Sequence, residues 1–374
     1  MTAPALPLLH HFSDLADPRV DRTKRHKLLD VIGLTVCALI GGADDFVHIE
    51  AFGKAKFDWL KRFLDLPNGI PSHDTLGRVL ARIDPDRFAD SFADWVAAFA
   101  GPLGVGHVAI DGKASRGSRH DAKSALHTVS AWATQARLTL GIAHVDAKSN
   151  EITAIPKLLE MLDLQGALVT IDAMGCQKEI AAALRQAGAD YVLAVKENQP
   201  HLYADIDALF ERLVAADLDG PGWSFSRSSE VGHGREETRG VWVLGQVEEV
   251  RDRELWKDLR SLIVVVRERT VGDLTSTERS DYISSRAASA REFADAIRGH
   301  WGIENECHWV LDVGFREDAS RIRKDHAPAN MSCMRRMALG MLQRAEGAKG
   351  GVKTRRLTAG WDTTFLERVL KISV

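Results

Sequence analysis

Apolar positions in the first hundred residues recur at helical spacing. Leu28 to Ile40, Ile49 to Leu64, Asp74 to Ile83 and Phe88 to Phe99 are each apolar-periodic, and Gly-Gly, Pro-Asn-Gly and Asp-Pro breaks separate them. The pattern predicts an α-helical N-terminal domain over residues 1–100. Within it, Pro71 to Thr75 (PSHDT) reads as a helix start, because the side chain of Ser72 or Asp74 can accept a first-turn N–H. The run Val31 to Ala43 follows a basic segment as a secretion signal would, but it begins at residue 31 and is shorter than the roughly 20 residues that span a bilayer. It predicts a buried core helix and no membrane association.

Beyond the glycine-rich run Gly101 to Gly106 the period changes. Short β-branched runs predict strands at Val108 to Ile110, His127 to Thr134 and Arg137 to Val145, the last two joined as a hairpin. A helix over Ile155 to Leu162 leads to a strand at Leu168 to Ile171, a helix over Gln177 to Ala187 and a strand at Tyr191 to Val195. The order β-β-β-α-β-α-β is that of a ribonuclease H-like α/β fold, a mixed sheet with flanking helices whose first and fourth strands lie side by side. A helix near Leu202 to Leu213 then precedes strand-like runs at Trp223 to Ser228, Thr238 to Val250, Leu262 to Arg269 and Thr275 to Ile283. Helical spacing returns at Arg291 to Leu311 and Ala327 to Gln343. The expected division is therefore a first part of the core at 101–198, a β-rich insertion at 199–288, a second part of the core at 289–346, and a basic tail at 347–374.

Three acids stand where such a fold can unite them. Asp111 and Asp172 each follow a buried β-branched run, and Glu304 lies in a helical stretch. An aspartate at a strand end is also a common turn or cap residue, and Asp111-Gly112 is a plain turn signal. Glu306, Asp312 and Asp318 are near rivals of Glu304, with Asp312 the reserve because it falls about two turns along nearly the same face. Convergent carboxylates suit hard divalent cations, above all Mg²⁺, and so phosphoryl transfer. A competing reading takes His300, Glu304 and His308 at i, i+4 and i+8 as one face that could ligate Zn²⁺. It lacks the HExxH arrangement and leaves both aspartates unexplained.

Composition narrows this picture only a little. The 374 residues are 45% hydrophobic and 27% charged, as in an ordinary soluble protein, and the net charge of −3 argues against a uniformly basic nucleic-acid binder. From Arg316 onward, however, 13 Lys/Arg stand against 6 Asp/Glu, a local excess of 13 − 6 = +7 that suits a phosphate backbone. Cys37, Cys176, Cys307 and Cys333 form no CxxC pair, so no disulfide and a cytoplasmic protein are expected. Most tryptophans should be core, while one or two in the β-rich segment could stack on an unpaired base.

The motifs IDGKASRGS (Ile110 to Ser118), IDAMGCQKEIA (Ile171 to Ala181), VKENQP (Val195 to Pro200), GHGREETR (Gly232 to Arg239) and HWGIENECHWVLDVGFREDASR (His300 to Arg321) occur in order. Together with DPR at Asp17 to Arg19 and PSHDT, they resemble the insertion-sequence DDE transposases of the H-repeat-associated group, over nearly the whole chain. The resemblance implies a ribonuclease H-like transposase that cuts double-stranded DNA at terminal inverted repeats and joins the ends to target DNA. It implies a homodimer on DNA, nucleoid-associated when bound, and two Mg²⁺ or Mn²⁺ ions per site. Asp111, Asp172 and Glu304 match the catalytic acids, with Asp111 expected to bridge both ions while water, and then a freed 3′-hydroxyl, attacks in line. The wider clan carries Tyr-x2-Arg-x3-Glu-x6-Lys, and here the Tyr, Arg and Lys positions are Ile297, His300 and Leu311. Phosphate contacts are therefore expected from His300, Arg298, Arg316 and Lys324, and from His233, Arg235 and Arg239 in the GHGREETR segment. A transposase-derived DNA-binding protein that no longer cuts is the alternative.

Overall fold

The computed structural model describes residues 6–100, 106–120, 124–145, 149–216, 222–232 and 234–371. The N-terminal helices are α1 (Leu28–Ile40), α2 (Phe46–Ala55), α3 (Phe57–Leu60), α4 (His73–Leu80) and α5 (Pro85–Ala100). Helix α1, the segment with the signal-like hydropathy, is a core helix in which nearly every residue is buried. Ser72 caps α4, its hydroxyl accepting the Thr75 N–H. The predicted helix over Ile49 to Leu64 breaks at Lys56 into α2 and α3, and continues past Leu60 only as turn.

The strands are β1 (His107–Ser115), β2 (Leu126–Ala133), β3 (Leu138–His144), β4 (Leu168–Ile171) and β5 (Asp190–Val195), with helices α6 (Glu151–Glu160) before β4 and α7 (Lys178–Gln186) before β5. Helix α8 (Pro200–Ala215) leads to β6 (Trp223–Gly232), β7 (Arg235–Leu244), β8 (Ser261–Val271) and β9 (Leu274–Ser284). Helix α9 (Ala290–His300), a π-helical turn (Ile303–His308), α10 (Trp309–Phe315), α11 (Ala327–Arg344), α12 (Val352–Trp361) and α13 (Thr363–Leu370) complete the described chain.

All nine strands form one mixed sheet in the order β3-β2-β1-β4-β5-β9-β8-β7-β6. The first five make the ribonuclease H-like arrangement, with β1, β4 and β5 parallel and β2 and β3 antiparallel. The β-rich insertion is a meander that extends this same sheet, β9 pairing antiparallel with β5. Its predicted strand Thr238 to Val250 stops at Leu244, where Gly245 and a 3-10 turn take the chain away.

Alternation along β1 sends Val108 and Ile110 into the core shared with α6 and α7, and Ala109 into the core shared with α1, α5 and α11. Strand β1 is thus buried on both faces. The N-terminal helices share their core with α11, α12 and α13.

That packing revises the basic tail. Arg335, Arg336 and Arg356 are buried and serve the interior. Arg356 donates to the carbonyls of Leu39 and Ala43 and to Asp44, tying α12 to the end of α1, while Arg335 and Arg336 surround the buried Glu317. A guanidinium is buried at least cost where carboxylates and carbonyls meet its donors; Arg356 is met in this way, while Arg335 Nε and Arg336 Nη2 are left without a partner. Part of the +7 excess is therefore not available to a phosphate backbone.

Candidate active site

The parallel ladder between β1 and β4 ends with Ile110 opposite Ile171, so Asp111 and Asp172 are the next residues on neighbouring strands. Asp111 is not at a strand end, because β1 stays paired with β2 as far as Ser115, and Asp111 itself lies opposite Ser130. Asp172 begins a short 3-10 turn and accepts the Met174 and Gly175 N–H groups, both on Oδ1. The cap reading of this residue is thus correct. The VKENQP motif braces the same turn, Asn198 donating to the Ala173 carbonyl and Gln199 to that of Cys176.

Asp111 shares its face of β1 with Ala109 and Lys113, the face covered by the segment after α9. Two strand residues rise about 6.6 Å and four helical residues about 6 Å, so the two elements run in step. His308 Nδ1 lies 3.5 Å from Asp111 Oδ2 and 3.7 Å from Glu304 Oε1. One turn further, Asp312 and Asp318 approach the buried Lys113 Nζ at 2.8 and 3.5 Å. The π-helical turn, marked by the Trp309 N–H donating to the Glu304 carbonyl, lies at this contact. The IDGKASRGS motif also grips the later motif directly, the Arg116 N–H donating to the Asp318 carboxylate and the Gly117 N–H to the Asp318 carbonyl.

Among the described residues, Asp111, Glu304 and His308 have ligand-type atoms all within 4.8 Å of one another. Asp172 does not belong to that group, although its charge reaches Asp111. Burial, followed by Glu304, Asp172 and Glu151, pushes the Asp111 carboxyl well above its ordinary range. Glu304 is held well below its own, first by the nearby His308, against burial, and also by Asp111 and Lys113. The more enclosed Asp111 is thus the acid pushed up, and the more open Glu304 the one held down. These carboxylates are crowded with too little positive charge among them, and a divalent cation would remedy that deficit. The donor set fits one.

The structure corrects several expectations. Asp312, the reserve acid, is an ion-pair partner of Lys113. The zinc face of His300, Glu304 and His308 is not assembled, because His300 Nδ1 bonds Thr170 Oγ1 at 3.0 Å while His308 turns to Asp111. Burial lowers the His300 pKa to about 4, so its ring is neutral near pH 7 and supplies no cation for phosphate. Arg298 is ion-paired with Glu230 on β6, Arg239 is paired with Glu237, and Arg235 also lies in the field of Glu230. Three of the expected DNA contacts thus gather on a surface made by α9, β6 and β7. Gly232 pairs with Arg235 and Gly234 has a φ of +72°, so GHGREETR forms a tight hairpin turn, and His233 lies outside the described residues. Arg316 and Lys324 line a different feature, a groove between α2, α4 and the 316–325 loop that also holds Arg78, Arg321 and Arg323.

The residues that sequence reasoning missed are Lys113 and the weight of His308. Lys113 carried a usable signal, since two residues beyond Asp111 on a strand is the same face. The exposed tryptophans are also not where the β-rich segment was expected to place them. Trp361 is 77% exposed, Trp309 61% and Trp301 52%, whereas Trp132 and Trp256 are buried and Trp223 and Trp242 half-buried.

The family description "Transposase DDE domain" matches residues 104–341. The chain belongs to the DDE transposase family. A second description, "DDE_Tnp_1-associated", matches residues 9–96, the helical N-terminal region of this chain. Among its relatives, "Putative transposase YncI" of Escherichia coli O157:H7 is 43% identical over 369 residues, covering 97% of this chain and 94% of that protein. "H repeat-associated putative transposase YhhI" of Escherichia coli (strain K12) is 39% identical over 370 residues, covering 97% of each. A structural likeness to the piggyBac transposase synaptic complex with hairpin DNA has a TM-score of 0.39 at 9% identity, covering 98% of this chain and 78% of that chain. Among the described residues, no helix is long and apolar enough to cross a membrane.

Proposed function

We propose that this chain is an active DDE transposase that cuts DNA at the ends of an insertion sequence and transfers the strands to a target, with Asp111, Asp172 and Glu304 as the acids that hold two Mg²⁺ or Mn²⁺ ions. The observation that carries this reading is the meeting of Asp111 and Glu304, far apart in sequence, beside Asp172 on the adjoining strand, in a pocket short of positive charge. When bound, such ions raise the potency of the attacking oxygen and neutralise the leaving one. The chain's own residues set the stage. Asp111 is fixed by the β1–β2 ladder, Asp172 by the turn that Asn198 and Gln199 brace, and Glu304 by the π-helical turn. Lys113 neutralises Asp312 and Asp318 and helps keep Glu304 ionised.

The partner is double-stranded DNA, both inverted-repeat ends and target, bound by a homodimer. Phosphate contacts would come from Arg235, Arg239 and Arg298, once phosphate displaces Glu230 and Glu237 from them, and from the groove with Arg316 and Lys324, where Asp44, Asp45, Asp74 and Asp325 offset most of the positive charge. The test is nicking and strand transfer on duplexes carrying the repeats that flank the gene. Asp111→Asn, Asp172→Asn and Glu304→Gln should each lose roughly a thousandfold or more in rate, the equivalent of several kcal/mol of charge stabilisation. Near wild-type cleavage by Asp111→Asn in Mg²⁺ would refute the assignment, and DNA binding without nicking by the wild type in any metal would show a pure binder.

A further inference from the structure

His308 is the least explained side chain in the pocket. Its side chain is only 4% exposed, and its Nε2 is buried with no hydrogen-bond partner. Its Nδ1 points between Asp111 Oδ2 and Glu304 Oε1, at 3.5 and 3.7 Å. Both separations exceed the 2.7–3.2 Å range of an N–H···O bond. They resemble instead the edge between two ligands of one ion, since ligand atoms about 2.1 Å from a metal stand about 3.0 Å apart in an octahedron and about 3.4 Å apart in a tetrahedron. Burying an imidazole costs free energy unless its polar atoms are used, and a cation between these three side chains would use Nδ1. The π-helical turn that ends at His308 lies where the ring meets Asp111.

Resting on the proposed active site, the geometry points to His308 as a nitrogen ligand of the ion held between Asp111 and Glu304, so that the two metal positions differ in character. The position shared with His308 has a mixed nitrogen and oxygen donor set and favours Mn²⁺ over Mg²⁺, because imidazole suits transition metals while Mg²⁺ prefers oxygen alone. Asp172, which lies outside this group of ligand atoms, offers oxygen alone. His308 belongs to the metal site and not merely to the packing beneath it.

The test is Mn²⁺ binding to the full chain, followed by electron spin-echo spectroscopy, which reads ¹⁴N directly bonded to Mn²⁺. Wild type should show the nitrogen signal, and selective ¹⁵N labelling of histidine should change it. His308→Asp, which offers oxygen in place of nitrogen, should keep a bound ion but lose the signal, and its Mn²⁺-to-Mg²⁺ affinity ratio should fall by about tenfold or more. His308→Asn serves as the control if His308→Asp does not fold. A purely structural role for His308 would leave the Mn²⁺-to-Mg²⁺ ratio unchanged. Mn²⁺ that binds in an Asp111-dependent way with no nitrogen signal overturns this inference and leaves the active-site reading intact. If Mn²⁺ does not bind, or binds equally well to Asp111→Asn and Glu304→Gln, both fall.

Discussion

Replacing Glu317 with glutamine tests whether a buried charge network supports the floor of the pocket. The Glu317 side chain is wholly buried, with Oε1 accepting the Ser332 hydroxyl at 2.9 Å and lying 3.3 Å from Arg336 Nη1 and 3.9 Å from Arg335 Nη1. Arg336 also donates to Ser130 Oγ at 3.2 Å, and Ser130 is the β2 residue opposite Asp111. One carboxylate thus answers two buried guanidiniums. Burial alone would raise the Glu317 pKa, but Arg336, Arg335 and Lys113 outweigh it and the net shift is downward. Removing one partner of a buried pair costs about 3–5 kcal/mol, because the other charge is left uncompensated. With two arginines stranded, Glu317→Gln should fall in the upper half of that range, a large fraction of the roughly 5–15 kcal/mol of a typical fold. Urea denaturation of the full chain reads the loss as a lowered midpoint at unchanged slope. Pairing Glu317→Gln with Arg336→Met should show a coupling of about 1–3 kcal/mol, the double variant being less damaged than the sum of the singles. A depressed carboxyl stabilises above its unfolded pKa of about 4.3 and loses that contribution as pH falls through the folded value, so the gap between wild type and variant should be full at pH 7 and close in acid. A loss below about 1 kcal/mol, or singles that add within about 0.5 kcal/mol, would refute the reasoning.

Other perturbations follow from single contacts. A Cβ on Gly112 would stand 2.0 Å from Glu151 Oε1 and 2.7 Å from His127 Nε2, which are themselves paired at 2.7 Å. Gly112→Ala should therefore cost about 1–3 kcal/mol in thermal unfolding, and less in a Glu151→Ala background, where the clash is gone. Thr170 Oγ1 joins His107 Nε2 at 2.9 Å to His300 Nδ1 at 3.0 Å, so Thr170→Val should lose about 1–3 kcal/mol by urea titration, and a neutral result would refute the link. Burial lowers both imidazoles to about 4; such groups stabilise above the unfolded histidine pKa of about 6.5, and wild-type stability should fall as pH drops from there toward 4. Trp309→Ala should change stability by no more than about 0.5 kcal/mol, since the ring is 61% exposed, while lowering DNA cleavage; unchanged cleavage would deny that ring a place in the DNA path.

Period and punctuation determined the elements. The alternation at Val108 to Ile110 and the apolar run at Leu168 to Ile171 were enough to order the strands, and the order in turn was enough to set Asp111 beside Asp172. Those are local signals, carried by side-chain size and by Gly and Pro. The meander was legible as strands, but not as an extension of the core sheet, because edge pairing between β5 and β9 is a long-range choice made by backbone groups that every residue shares. Charge was the least legible feature. Arg335, Arg336 and Arg356 read as a basic tail, yet their partners Glu317, Ser130 and Asp44 arrive from other segments of the chain. His300 and His308 read alike on one helical face until the π-helical turn and the approach of β1 gave one ring to Thr170 and aimed the other at Asp111. A sequence names the donors and acceptors it holds; which of them meet depends on distances that exist only once the sheet and helices have packed.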